Sequence, residues 1–250
     1  MGRVRRGPIV IFGSNSWPRP RFVAGGGDAL VAFEVCGAFS DAIEAAFQVE
    51  GVEIRVETND LSRFGAAELE MLRQSNLEAA PEFENAPQVV SMRGIVSDPP
   101  TLDYLRDCLA FIEKLLESGG AVVLDPQTLQ IFSPAQFRFY GCGNAFEPTS
   151  HATILLSMQG ETLWLHTRGM RIFGRPDLSC HAVKPEEVEK LQPVFNGLIR
   201  MQAAGFRVFD GQIVEGVGLG SRLICRPRGD LDDANFNNFH IELEWETPQP

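Results

Sequence analysis

The stretch Leu163–Val183, LWLHTRGMRIFGRPDLSCHAV, decides how this chain is read. It carries two histidines, three arginines, an aspartate and a cysteine. Its opening, LWLHTR, alternates apolar and polar residues like a half-buried strand. With the preceding ATILLSM it predicts a hairpin that turns at Gln159-Gly160-Glu161. The rest, MRIFGRPDLSCHAV, reads as a connection into a long helix within Lys184–Gly205. Pro185, Glu186 and Glu187 open that helix in the sense its dipole favours, and Gly205 closes it. Pro193 predicts a kink inside it.

A comparable order precedes it. QVVSMRGIV reads as a strand ending near Arg93-Gly94, and SDPPTLDYLRDCLAFIEKLLESGG is the clearest helix of the chain. Leu102, Leu105, Leu109, Ile112 and Leu116 form one apolar stripe, and Tyr104, Cys108, Phe111 and Leu115 form a second. A helix apolar on two stripes is substantially buried. AVVLDPQTLQIF follows as strand, turn and short strand. Arg93-Gly94 then matches Arg168-Gly169, and Asp125 matches Asp210, which predicts an internal repeat of about 88–132 and 163–216.

The remaining segments predict strands at Pro8–Phe12, Ala29–Cys36, VEIRVET, SRLICRP and FHIELEWE, with a second hairpin in FRVFDGQIVEG at Asp210-Gly211. Helices are predicted from Asp41 to Gln48 behind a Ser40 cap, and over FGAAELEMLRQSNLEAA with Leu69, Leu72 and Leu77 inward. The expected fold class is α+β. Two related strand-helix-hairpin halves share a mixed, largely antiparallel sheet, with long helices on one face. Residues 1–28 are a basic, partly flexible arm, and 29–250 a single domain.

Charge narrows the partners. The chain has 22 basic and 33 acidic residues, a net charge of −11. The first 22 residues hold five arginines and no acid, which leaves −16 on the rest. Such a body repels nucleic-acid phosphates and anionic membranes and suits a basic protein partner. No apolar stretch approaches the ~20 residues needed to span a bilayer. The five cysteines are dispersed without a C-x-x-C pair, so reduced thiols in a cytoplasmic protein are expected.

The candidate site is His166, Arg168, Arg171, Arg175 and His181. Guanidinium forks bind carboxylates and phosphates bidentately. His166 shares a strand face with Trp164 and Arg168 and is placed for general-base work, or simply for a hydrogen bond. Arg168 is equally readable as pairing with an acid at a strand end. Cys180 and His181 are adjacent on extended chain, so they point apart. No zinc spacing exists, and GVGLGSR lacks the gap and helix of a dinucleotide fingerprint. DLDDANFNN fails as a calcium loop at Ala234 and Asn235. Neither a metal nor a cofactor is expected.

The run APQVVSMRG through GGAVVLDPQTLQIFSPAQF, followed by LWLHTRGMRIFGRPDLSCHAV, resembles the bacterial domain of unknown function family 4261. The likeness rests on a long helix ending in GG before a strand, an SP element and the G-M-R-x-F-G-R-P-D-L run, over about Gln88 to Gly216. It implies a bacterial cytosolic α+β protein and transfers no catalytic residue. Two functions follow as expectations. One is a non-enzymatic protein-binding module, immunity-protein-like, that neutralises a basic partner. The other is an enzyme or small-ligand binder using the Arg/His face for an anionic ligand.

Overall fold

The computed structural model describes residues 27–39, 51–97, 99–140, 146–216, 219–233 and 235–246. The strand Pro8–Phe12, the helix Asp41–Gln48, nearly all of the 1–28 arm and Cys142 lie outside the described residues.

Ala29–Gly37 (β1), ALVAFEVCG, is apolar on both faces and buried along almost its whole length. Such a strand belongs inside a sheet covered on both sides. It pairs antiparallel with Gln88–Val96 (β3) and Gly120–Asp125 (β4). Val52–Thr58 (β2) and Gln130–Phe132 (β5) complete the order β2-β3-β1-β4-β5. Val31, Phe33 and Val35 enter the core filled by Asp103–Glu117 (α3). Both apolar stripes of α3 are buried, each large side chain contributing about 1.5–3 kcal/mol of transfer free energy. On the other face, Cys36 packs with Leu72 of Ala66–Ser75 (α1) and Phe83 of Ala80–Asn85 (α2). Glu34 is buried among them, and its carboxylate accepts from Arg63 Nη1 at 2.8 Å, Arg63 Nη2 at 2.6 Å and Arg93 Nη2 at 2.6 Å. Removing either partner would leave part of a buried charge uncompensated.

After Pro134–Tyr140 (α4), the chain builds a second sheet. Thr153–Gln159 (β6) and Thr162–Arg168 (β7) form the expected hairpin, with Gln159 opposite Thr162. Asp177–Val183 (β8), Ile213–Glu215 (β9), Arg222–Arg228 (β10) and His240–Trp245 (β11) give the order β6-β7-β8-β11-β10-β9. Every pairing is antiparallel except β8 with β11. Val188–Ala203 (α5) carries the chain from β8 past β11 and β10 to β9. One apolar cluster unites β1, α3, α5, β10 and β11. The protein is α+β with largely antiparallel sheets. No described helix is long and apolar enough to cross a membrane.

Several expectations need correction. Among the described residues the strands form two sheets, one in each half, instead of one shared sheet. DLSCHAV is not a connection but β8, a strand in the middle of its sheet. Arg93-Gly94 lies inside β3, whereas Arg168-Gly169 ends β7 with β8 still to come before α5. Asp125 is buried and Asp210 is an exposed partner of Arg226, so these positions differ too. The helix expected through Leu77 breaks at Asn76, whose Oδ1 accepts from Ala79 N–H and whose Nδ2 donates to the Ile131 carbonyl. Leu77 is left exposed. FRVF is not a strand, because Gly211 and Gln212 take the backbone bonds to Cys225 and Ile213–Glu215 pairs with β10.

Gly94 is fixed by close packing of backbones. A Cβ there would lie 2.0 Å from the Gly51 carbonyl oxygen and 2.6 Å from Val52 Cα. Gly94→Ala should lower the unfolding free energy by about 2–3 kcal/mol. Gly160→Ala, in open space but at φ +66°, should cost only about 1 kcal/mol. Urea denaturation compares them, and equal losses would dismiss the close approach as the cause.

Candidate functional site

β8 begins at a buried carboxylate. Asp177 Oδ1 accepts from the Thr167 hydroxyl at 2.8 Å and from Met170 N–H at 3.3 Å, and Oδ2 accepts from Asn238 Nδ2 at 2.8 Å. Thr167 Oγ1 in turn accepts from Leu178 N–H, and Asn238 Nδ2 also donates to the Arg175 carbonyl. Asp177 N–H donates to the Phe239 carbonyl, which opens the parallel pairing with β11. Burial pushes the Asp177 carboxyl up to about 7, although these donors and the charge of Arg168 pull it down. Asp125, also buried, is pushed up to about 6 against the pull of Gln127, Thr128 and Arg168. Arg168 therefore favours the charged form of two buried carboxyls, the role of a strand-end counter-charge.

Between β7 and β8 the chain makes a 3-10 turn, Met170–Phe173, with Gly169 and Gly174 at its ends in the left-handed region. The Tyr104 hydroxyl of α3 donates to the Ile172 carbonyl and fixes the turn to the core. Gly174 lets the segment before β1 approach. Gly27 N–H donates to its carbonyl at 3.0 Å, and a Cβ on Gly174 would lie 2.2 Å from the Gly27 oxygen.

Beside this junction lies a cleft of about 550 Å³, in the size range of small-molecule sites. Arg171, Arg175 and Arg228 converge on it with Asn238 and His240, against apolar walls that include Ile95 and Phe239. Asp28 is the one acidic residue of its lining. Arg171 Nη1 donates to the Asn237 carbonyl at 3.0 Å, and Arg171 makes no ion pair among the described residues. Arg175 is buried and donates from Nη1 to the Gly174 carbonyl. Arg228 makes one exposed pair with Glu244 at 3.3 Å, a contact of small energy. Arg228, Asn238 and His240 escaped the sequence reading.

The two candidate histidines lie elsewhere, on the outer face of the second sheet. Trp164 stands between them, 3.8 Å from the His166 ring and 5.1 Å from the His181 ring, near parallel to both. Burial, then Arg168 and His181, lower His166 to about 4, so it is neutral at pH 7 and a poor general base there. His181 is half exposed, with Nδ1 2.9 Å from Gln159 Oε1. Cys180 faces the core, away from His181, and burial raises its thiol. Of the five predicted residues, Arg171 and Arg175 meet at the cleft, Arg168 serves Asp125 and Asp177, and His166 and His181 flank Trp164.

Phe236 stacks on His240 at 4.3 Å and meets Trp164 and His166 edge-on. Burial lowers His240, against Asp233 and Glu242, which raise it. Among the described residues no three His, Cys, Asp or Glu side chains are placed to hold a metal ion.

No protein family, curated protein or solved structure matches this chain. The function has to be argued from the site itself.

Asp177 gives the site a pH signature. Its pKa is raised on folding from 3.8 to about 7, so the folded state holds this proton more tightly than the unfolded chain does. The associated stability is complete below the unfolded value and is lost as pH rises through the folded one. Asp177→Asn removes the titration. Wild-type stability minus that of the variant should therefore fall between about pH 4 and about pH 7 in urea titrations. Parallel profiles would contradict the raised carboxyl.

Proposed function

We propose that the protein binds a small molecule that joins a carboxylate or phosphate to an apolar body. The observation that carries this reading is the convergence of Arg171, Arg175 and Arg228 on one largely apolar cleft, in a chain of net charge −11. Among the lining residues arginines outnumber the single carboxylate of Asp28, a composition that favours an anion even with Arg228 also paired to Glu244. Guanidinium groups suit its planar or tetrahedral oxygens, and the walls suit its hydrocarbon. A reducing cytosolic setting suits the four described cysteines, all buried free thiols. Burial pushes Cys36, Cys108 and Cys225 up to about 12, which leaves them without nucleophilic character. The described lining of the cleft holds no serine, threonine, cysteine or lysine, which favours binding over covalent catalysis by such groups.

The acidic body supports a second reading, a module that docks a basic protein. The two separate by experiment, because a basic partner is repelled by the cleft arginines and an anionic ligand is held by them. A thermal-shift panel of aromatic and aliphatic carboxylates, phosphate esters and their neutral amide or alcohol counterparts tests the proposal. An anion at ~100 times its Kd should raise Tm by about 5–10 °C, and its neutral counterpart should not. Arg171→Ala and Arg228→Ala should fold and lose most of that shift. No response to any anion, or variants that respond like the wild type, would overturn the proposal.

A further inference from the structure

An exposed sheet edge pairs with another chain unless something prevents it. The two sheets present four edges. Along β2, Glu53, Arg55 and Glu57 are exposed and charged. β5 and β9 are three residues each. β6 has neither defence. TILLSMQ runs seven residues without a charge or a proline. Its register against β7 is unbroken from Thr153–Arg168 to Gln159–Thr162, so no bulge turns it away. Among the described residues nothing pairs with its outer side.

The side chains of β6 are self-complementary. Alternation puts Ile154, Leu156 and Met158 on one face. A twofold axis through Leu156 sets that residue against its own counterpart and Ile154 against Met158 of the partner subunit. Leu156 is 52% exposed and Met158 73%. Phe139, 77% exposed, lines with Ile154 a hollow beside the strand. Charge singles out the same place. Two copies of a −11 chain repel over most approaches, and this is the long edge that brings no like charges together.

We propose that the protein self-associates through β6, two copies pairing these strands antiparallel so that their six-stranded sheets become continuous. The contact is isologous, as twofold dimers require. A seven-residue edge buries less than the about 800 Å² per partner of a standard interface, so association depends on concentration.

Sedimentation of the full chain from ~1 µM to ~500 µM tests it. The weight-average mass should climb from monomer toward dimer, and Leu156→Lys and Met158→Lys should weaken association at least about tenfold while retaining the wild-type circular dichroism. A wild type that stays monomeric, or lysine variants that associate equally well, would overturn the proposal. If a lysine variant misfolds, cross-linking decides. Leu156→Cys should form an intermolecular disulfide on mild oxidation far faster than Leu77→Cys, at an exposed residue remote in sequence. Equal rates would refute pairing at β6.

Discussion

The carboxylate of Asp177 is the constraint on which the second half of the molecule depends. It gathers a hydroxyl from β7, a backbone amide from the 3-10 turn and an amide from the residue that leads into β11. These groups are separated in sequence by up to 71 residues, from Thr167 to Asn238. Their meeting point sets the parallel register of β8 and β11, where Asp177 stands opposite His240. That register aligns the turn bearing Arg171 and Arg175 with the end of β10 bearing Arg228. A buried carboxyl without these donors would cost several kcal/mol, so the network specifies one arrangement of strands.

Arginines do two different jobs here. Arg63 and Arg93 both turn onto buried Glu34, at 2.6–2.8 Å, and hold its charge in place. Arg168 similarly serves Asp125 and Asp177. Arg171 meets only a carbonyl among the described residues. Arg171 stands with Arg175 and Arg228 in the lining of one cleft, which distinguishes it from the second hollow, where Glu147 pairs with Arg200 at 3.0 Å.

Local patterns were legible in the chain and long-range ones were not. The double stripe of α3 and the hairpin at Gly160 follow from periodicity and turn chemistry, and both appear as read. β8 does not read as a strand because its outward residues, Asp177 and Ser179, are polar yet buried, so the alternation that marks a strand suggests a polar loop instead. Asn76 ends α1 through contacts with β5 and the start of α2, which a helical repeat cannot show. For the site, neighbours in sequence were overvalued. His166 and Arg168 share a strand with each other but not a cleft with Arg171. Arg228 and His240 join Arg171 only through the pairing of β8, β11 and β10, and no spacing encodes that.

The most direct test of an anion-binding cleft follows the arginine Nε–H resonances by NMR while a simple aromatic carboxylate, benzoate, is titrated in. Arg171, Arg175 and Arg228 should shift together along one saturating curve, while exposed arginines outside the cleft, such as Arg55 and Arg106, stay in place. Shifts spread evenly over all arginines, or confined to those outside the cleft, would contradict it.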